Sequence, residues 1–436
     1  MTDPATPEPE LVVVWGYGRH GGGASAARFW QRRGVPVRVV DTDPSLDLPD
    51  DLRVDARTDQ TPDAFDGADL VVVNPAIPLT HPLLRELLAR GVPLTSEFLL
   101  TAAAITGDLV LVTGTAGKST FCRRLAASLE AAGRTVGLGG NFERDLIGLD
   151  GSLLDELDEL KTQPQSRTPE VCVLEVSSFQ LAHAEAFGAA NAGVLAARAV
   201  VLTSLSPNHL DWHDSMASYV AAKQVAVQAA GERVVLPPGV LPPDMPAIQP
   251  PPHAEVCLAQ TPDEQLAAVL GLFGIDQPPV SVPPLPHRMQ TVEPLEGVCA
   301  IDDSASTVPA SVVAALDHLG RDRPDDRVVL ILGGRSKGLS AGDLDRLARA
   351  VAPRTAAVAT IGETGSDLAR LIAIHGGKVR SCRTLGKAVK WGRKIVRSAA
   401  VGGGVLLLSP GMASTDQFID YRDRGRRFAD LVRAAR

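Results

Sequence analysis

The run Val112-Thr-Gly-Thr-Ala-Gly-Lys-Ser119 holds the residue types that grip a phosphate chain. Glycines let the backbone approach phosphate oxygens, and N–H groups at a helix start face an anion. At this spacing Lys118 reaches β- and γ-phosphates and the Ser119 hydroxyl is placed for Mg²⁺, with Gly114, Thr115, Ala116, Gly117 and Thr120 completing the loop. A Gly-rich turn that binds nothing is the bland alternative. An apolar strand before the run and a helical pattern after it argue against that. Glu175-Val-Ser-Ser-Phe-Gln180 sets a carboxylate after the apolar run Val171–Leu174, a position suited to Mg²⁺. Ser177 or Ser178 as a helix N-cap explains the same segment, and both readings can hold at once. Ser206-Pro-Asn-His-Leu-Asp-Trp-His213 sets His209 in a loop after a strand, as a ligand, a base or neither. Lys223, in an Ala-rich helical stretch, reads by itself as a solvated lysine.

A second glycine loop, Gly16-Tyr-Gly-Arg-His-Gly21, also lies between a strand and a helix, with Asp41 ending the next strand. That spacing is the dinucleotide fingerprint and taken alone points to NAD. Its physical content is broader, because a helix start beside glycines accepts any pyrophosphate. Near the C-terminus stand Leu285-Pro-His-Arg288, Asp302-Asp-Ser-Ala-Ser-Thr307, Gly333-Gly-Arg-Ser-Lys-Gly338 and Ser409-Pro-Gly-Met-Ala-Ser-Thr-Asp-Gln-Phe418. Three of these follow strands. Ligands gather at the carboxyl ends of strands in open α/β sheets, so the three loops read as one site.

The positioning elements are short β-branched runs alternating with helical patterns, the signature of α/β layers on mainly parallel sheets. Expected strands are Leu11–Trp15, Val35–Asp41, Leu70–Asn74, Leu109–Thr113, Val171–Val176, Ala199–Leu205, Val298–Ile301, Val328–Leu332, Ala356–Ile361 and Val405–Leu408. Expected helices include Ala24–Arg33, Pro82–Arg90, Ser119–Ala132 and Arg424–Ala435. Asp155–Pro169 is polar and reads as an exposed loop. Pro237–Pro252 reads as a surface connection, and the five prolines of Gln277–Pro286 as an interdomain linker and hinge. The 436 residues divide as 1–103, 104–282 and 283–436.

The chain is 45% hydrophobic and 22% charged, ordinary for a protein with real cores. Its net charge of −8 argues against a general nucleic-acid binder. Five scattered cysteines make no CxxC pair. No secretory signal and no apolar run of about 18 residues are present, so a cytoplasmic enzyme without a membrane span is expected. A monomer is the default expectation.

In order along the chain, TGTAGKST, EVSSFQL, SPNHLDWH with a following AAK, LPHR, DDSAST, LGGRSKG and LLSPGMASTDQF resemble the Mur ligases of peptidoglycan synthesis. The resemblance runs from Gly16 to Phe418. It implies three domains: a Rossmann-like one for a UDP end, a central P-loop ATPase, and a Rossmann-like C-terminal domain for an amino acid. SSFQL and the SP..AS.DQF pattern point to the branch that adds D-glutamate to UDP-N-acetylmuramoyl-L-alanine. The implied reaction uses ATP and Mg²⁺, with two metal sites, and passes through an acyl phosphate. Carried over by motif, Lys118 and Ser119 hold the ATP phosphates and one Mg²⁺, which Glu175 ligates. His209 matches the histidine near the second metal. Lys223 matches the lysine that is carbamylated in the family, which replaces the solvated reading. Gly18, Arg19, His20, Thr42, Asn141, Ser177 and Gln180 match contacts to the UDP-muramoyl substrate. Arg288 and Asp303 match nucleotide contacts, and Thr307, Ser414 and Tyr421 the D-glutamate pocket.

This chain departs from the family pattern at three places. Ala116 stands where Asn is usual, Ala305 where Lys is common, and Gln260-Thr-Pro-Asp-Glu264 where an HN pair serves adenine. Lys337 is the candidate to replace the missing cation. Rival readings are another Mur or folylpolyglutamate-type ligase, a homologue that only binds nucleotide, and an NAD-linked oxidoreductase.

Overall fold

The computed structural model describes residues 8–17, 22–43, 48, 54–162, 167–188, 193–238, 248–295, 298–397 and 404–434. These build three sheets, one in each expected region. The first comprises β1 (Val12–Trp15), β2 (Val37–Val40), β3 (Asp55–Arg57), β4 (Leu70–Val73) and β5 (Leu94–Thr95), parallel in the order β3-β2-β1-β4-β5. The second comprises β6 (Asp108–Thr113), β7 (Val136–Gly140), β8 (Val171–Glu175), β9 (Ala197–Leu202), β10 (Ala230–Leu236) and β11 (Glu255–Leu258). It is parallel throughout in the order β11-β10-β9-β6-β8-β7. The third comprises β12 (Gln290–Leu295), β13 (Val298–Asp302), β14 (Arg327–Leu332), β15 (Ala357–Ile361), β16 (Val379–Arg383) and β17 (Gly404–Leu408). Its order is β12-β13-β17-β14-β15-β16, with only the edge strand β12 antiparallel.

Central strands are buried on both faces, as parallel sheets under helices require. Val110, Leu111 and Val112 of β6 and Val329, Leu330 and Ile331 of β14 are fully enclosed. The chain forms two compact units, residues 1–205 with 215–282, and residues 206–214 with 283–436. Gln277–Pro286 carries no helix or strand, as its prolines dictate. Pro237–Pro252 is described at residues 237, 238 and 248–252, where it is irregular; Ile248 is nonetheless buried in the core. No described helix is long and apolar enough to cross a membrane.

One expectation is corrected. The polar stretch Asp155–Pro169, read as an exposed loop, is helical through Thr162 as part of the helix Leu153–Thr162, and only residues 167–169 of its described end are irregular. Leu153, Leu154 and Leu157 enter the core, and so do Asp155 and Asp158. Their partners are on the helix Gly22–Gln31 and just beyond it. Ser25 Oγ donates to Asp155 at 2.5 Å, and Arg33 pairs with Asp158 at 2.7 Å. Acidic residues that look solvated in sequence are here charge partners of Arg28 and of Arg32 and Arg33 just past a distant helix.

Candidate active site

β6 runs into the glycine loop at Thr113, and the helix Lys118–Ala131 leaves it. Gly114 has φ +145° and Gly117, at the helix N-cap, has φ +85°, conformations that side chains rarely adopt. A Cβ on Gly114 would also fall 2.1 Å from Thr203 Oγ1. The glycines are therefore demanded by the turn. Lys118 Nζ donates to the Gly114 carbonyl at 3.0 Å, so its cation sits over the loop.

Lys223 comes to the same place. It is 1% exposed, against the solvated reading, and donates to Thr113 Oγ1 and to the Gly114 carbonyl, both at 3.2 Å. Its nitrogen lies 4.7 Å from the centre of the Tyr219 ring, one helical turn back, and Tyr219 Oη bonds Thr115 Oγ1 at 2.9 Å. Burial first, then the charge of Lys118, hold the Lys223 amine well below the ordinary lysine range, with Glu175 opposing. Burial thus makes the protonated form of this amine costlier than that of a surface lysine.

Glu175 ends β8, beside Val112 of β6 and Gly140 of β7 in register. It is 3% exposed. Asn141 donates to its Oε1 at 3.3 Å, while Oε2 is buried with no hydrogen-bond partner. An orphaned carboxylate oxygen beside a phosphate-binding loop fits a divalent cation. Among the described residues no three His, Cys, Asp or Glu side chains converge on one point. A metal here would therefore rest on Glu175, the Ser119 hydroxyl, phosphate oxygens and water. That set suits Mg²⁺, which keeps waters and takes few protein carboxylates.

The remaining sequence candidates in this region divide. Asn141 braces Glu175, also through a 2.7 Å backbone bond. Ser177 and Gln180 form a reciprocal capping box on the helix Ser178–Ala186, as the N-cap reading expects. Thr42 is exposed just beyond β2. Gly18, Arg19 and His20 lie outside the described residues. His209, with φ +55°, precedes the short helix Leu210–His213 and belongs to the second unit's segment. Where an HN pair is usual for adenine, Thr261 and Glu264 instead cap the helix Pro262–Leu272.

In the second unit the loops after β13, β14 and β17 are stitched together. Asp303 N donates to Leu408 O at 2.8 Å, Gly333 N to Pro410 O at 2.8 Å, and Gly411 N to Ser306 O at 2.9 Å. Arg335 and Ala413 exchange two backbone bonds. The loops thus form one surface, because β17 lies between β13 and β14. Asp303 is buried beneath it, accepting from Ser306 at 2.5 Å, Ser409 at 2.7 Å and Met289 N at 3.2 Å. Burial pushes its carboxyl up to about 6. Arg288 is half-buried, between His287 and Met289 with φ +61° and +45°. Asp302 holds that bend by accepting from His287 Nδ1 at 2.7 Å. Ser414 is buried, and Thr307 and Tyr421 are half-buried, on the segments that flank this surface. Ala305 offers only a methyl group. Lys337 has φ +52° in the loop after β14.

Three family models match the chain in order. The Mur ligase MurD-like N-terminal domain covers residues 10–96, the Mur ligase middle domain 112–236, and the Mur ligase glutamate ligase domain 287–411. The chain belongs to the Mur ligase family. It is 32% identical to the UDP-N-acetylmuramoylalanine–D-glutamate ligase of Thermus thermophilus, covering 97% of each chain. It is 30% identical to that of Chromobacterium violaceum, covering 98% of each. Solved structures share the fold at low identity. The UDP-N-acetylmuramate-alanine ligase of Thermotoga maritima superposes with a TM-score of 0.57 at 14% identity, over 98% of this chain and 100% of that one. The MurF ligase of Thermotoga maritima, in complex with ADP, gives 0.56 at 13%, over 97% and 94%.

Reading this Mur ligase from its sequence missed Tyr219 and Arg424, and named Asp302 only within its loop, without a role. Tyr219 had a signal, since it stands four residues before Lys223 on one helix face. Arg424 had none. It is fully enclosed and donates to Ser304 Oγ and O, both at 2.9 Å, and to Met412 O at 3.1 Å. It thereby welds the segment after β13 to the one after β17. Burial brings its guanidinium down to about 10.

Proposed function

We propose that this Mur ligase joins D-glutamate to UDP-N-acetylmuramoyl-L-alanine at the expense of ATP. The observation that carries the chemistry is the meeting of Lys118 and Lys223 at one glycine loop, with the orphaned Glu175 oxygen on the strand beside it. A carboxylate is a poor electrophile. Transfer of the γ-phosphoryl group of ATP to the substrate carboxylate makes an acyl phosphate and releases ADP. The D-glutamate amine then attacks the acyl carbon, and the tetrahedral intermediate expels inorganic phosphate as the amide forms. Charge on the transferring phosphoryl group needs fixed cations, and Lys118 supplies one.

Glu175 and Ser119 would hold Mg²⁺, which supplies further charge neutralisation at the phosphates. His209 and a carbamylated Lys223 would serve a second metal site. The neutral tendency of the Lys223 amine favours its addition to CO₂, which turns a cation into an anionic oxygen ligand. Arg288 and Asp303 are assigned to the nucleotide, and Thr307, Ser414 and Tyr421 to D-glutamate. Asn141, Ser177, Gln180, Thr42 and the Gly18–His20 loop are assigned to the UDP substrate. The domains run 1–103, 104–282 and 283–436, with Gln277–Pro286 as hinge for closure of the third domain over the second.

The test is phosphate release from ATP with UDP-N-acetylmuramoyl-L-alanine, scanned over amino acids. Turnover with D-glutamate alone supports the assignment. Turnover with L-lysine or L-alanine in its place overturns it. ATP binding with no turnover on any amino acid would mark a homologue that only binds nucleotide.

A further inference from the structure

The apex of the glycine loop is Ala116, whose methyl group can make no hydrogen bond. Its backbone is nonetheless pinned on both sides, and by one hydroxyl. Ala116 N donates to Ser204 Oγ at 2.9 Å, and Ser204 Oγ donates to the Ala116 carbonyl at 3.0 Å. Thr203 Oγ1 donates to the same carbonyl at 2.7 Å. The neighbouring Thr115 N donates to Ser204 O at 2.9 Å, and Thr203 N to Thr113 O at 2.9 Å. Thr203 and Ser204 directly follow β9, which lies beside β6.

The N–H and C=O of Ala116 belong to two successive peptide planes, so Ser204 fixes both. In a planar trans peptide the C=O and the following N–H point in opposite directions. With the Ala116 carbonyl turned toward Thr203 and Ser204, the Gly117 N–H must point away from β9. Gly117 is the N-cap of the helix Lys118–Ala131, where unpaired donors meet an anion. The Ser204 hydroxyl, which alone bonds both the N–H and the C=O of Ala116 and shares the latter with Thr203, thus helps select which loop amides are offered to a phosphate.

We propose that Ser204 is a positioning residue of the nucleotide loop, supplying from the segment after β9 the polar group that position 116 lacks. The proposal rests on the reading of residues 113–119 as the ATP site. Ser204 touches no phosphate in this role and acts through the Ala116 and Gly117 peptides. It is half-buried, so its loss leaves the core intact.

The experiment measures ADP and ATP binding by calorimetry, and steady-state kinetics, for the whole chain and for Ser204→Ala and Ser204→Thr. Ser204→Ala should bind both nucleotides about tenfold more weakly and raise KM for ATP to match. The KM for the acceptor amino acid should stay within about twofold, with an unchanged melting temperature. Ser204→Thr, which keeps the hydroxyl, should restore nucleotide binding. The proposal is overturned if Ser204→Ala binds ADP as tightly as the unaltered chain. It is equally overturned if Ser204→Thr fails to rescue, or if all substrates weaken alike alongside a lowered melting temperature. If the unaltered chain binds neither nucleotide, the reading of the loop itself fails, which is a different result.

Discussion

Lys223 Nζ meets Thr113 Oγ1 at 3.2 Å, bringing together two residues 110 positions apart in the chain. The amine is enclosed, and the cation beside it is another lysine. Protonation is therefore costly, and the folded amine lies well below the ordinary lysine value. The unfolded chain binds more protons than the folded one between that lowered value and about 10.5, so stability from this group rises with pH across the window. At neutral pH it destabilises the fold. Lys223→Met should raise the melting temperature at pH 7 by about 3 °C and abolish phosphate release. Calorimetry and the ligase assay read the two effects. A fall in melting temperature would contradict the burial argument.

Incubation with ¹³C-bicarbonate should give a carbamate carbon resonance in the folded protein. The resonance should be missing from Lys223→Ala and strengthen as pH rises and the amine sheds its proton. Its absence at every pH would remove Lys223 from the metal site.

Glu175 offers one oxygen to Asn141 and leaves the other unpaired. Glu175→Gln replaces the acceptor pair by an amide of the same shape. Turnover should fall at least about a hundredfold, and the Mg²⁺ concentration for half-maximal rate should rise. Asn141→Ala should give a milder form of the same change, about tenfold. Unchanged Mg²⁺ dependence in Glu175→Gln would take the metal away from this carboxylate.

Asp303 is buried, with its carboxyl raised from the usual 3.8 to about 6. The folded state keeps a proton that the unfolded chain releases, so this contribution is fully present below 3.8 and is lost as pH rises through about 6. It amounts to roughly 3 kcal/mol. Asp303→Asn, an uncharged acceptor for Ser306 and Ser409, should flatten the change of melting temperature between pH 4 and 6.5. An identical slope in the variant would show that Asp303 does not titrate there.

His287 is held by Asp302, and the pair shapes the bend that carries Arg288. His287→Ala should loosen the bend and raise KM for ATP about tenfold, with KM for the UDP substrate unchanged. Initial-rate kinetics with each substrate varied in turn would separate the two.

Much of this arrangement was legible in the residues themselves. Local chemistry determined the glycine loop, because only glycine tolerates the backbone at Gly114 and Gly117, and a strand must enter and a helix leave. It also determined the three β-rich regions and the irregular course of the proline-rich stretch Gln277–Pro286, since hydrophobic period and ring constraint act over a few residues. The order of motifs was enough to reveal the family. The tertiary structure alone decided what neighbours each side chain has. Lys223 reads as solvated until the β6 loop closes over it. The acidic run from Asp155 reads as a loop until Arg28, Arg32 and Arg33, distant in sequence, pair with it. Ser204 and Arg424 carry no local signature, for their roles lie in backbone groups of segments distant in sequence. A one-dimensional pattern reports what a residue prefers. Burial and pairing, which set its charge and its task, depend on which strands lie side by side.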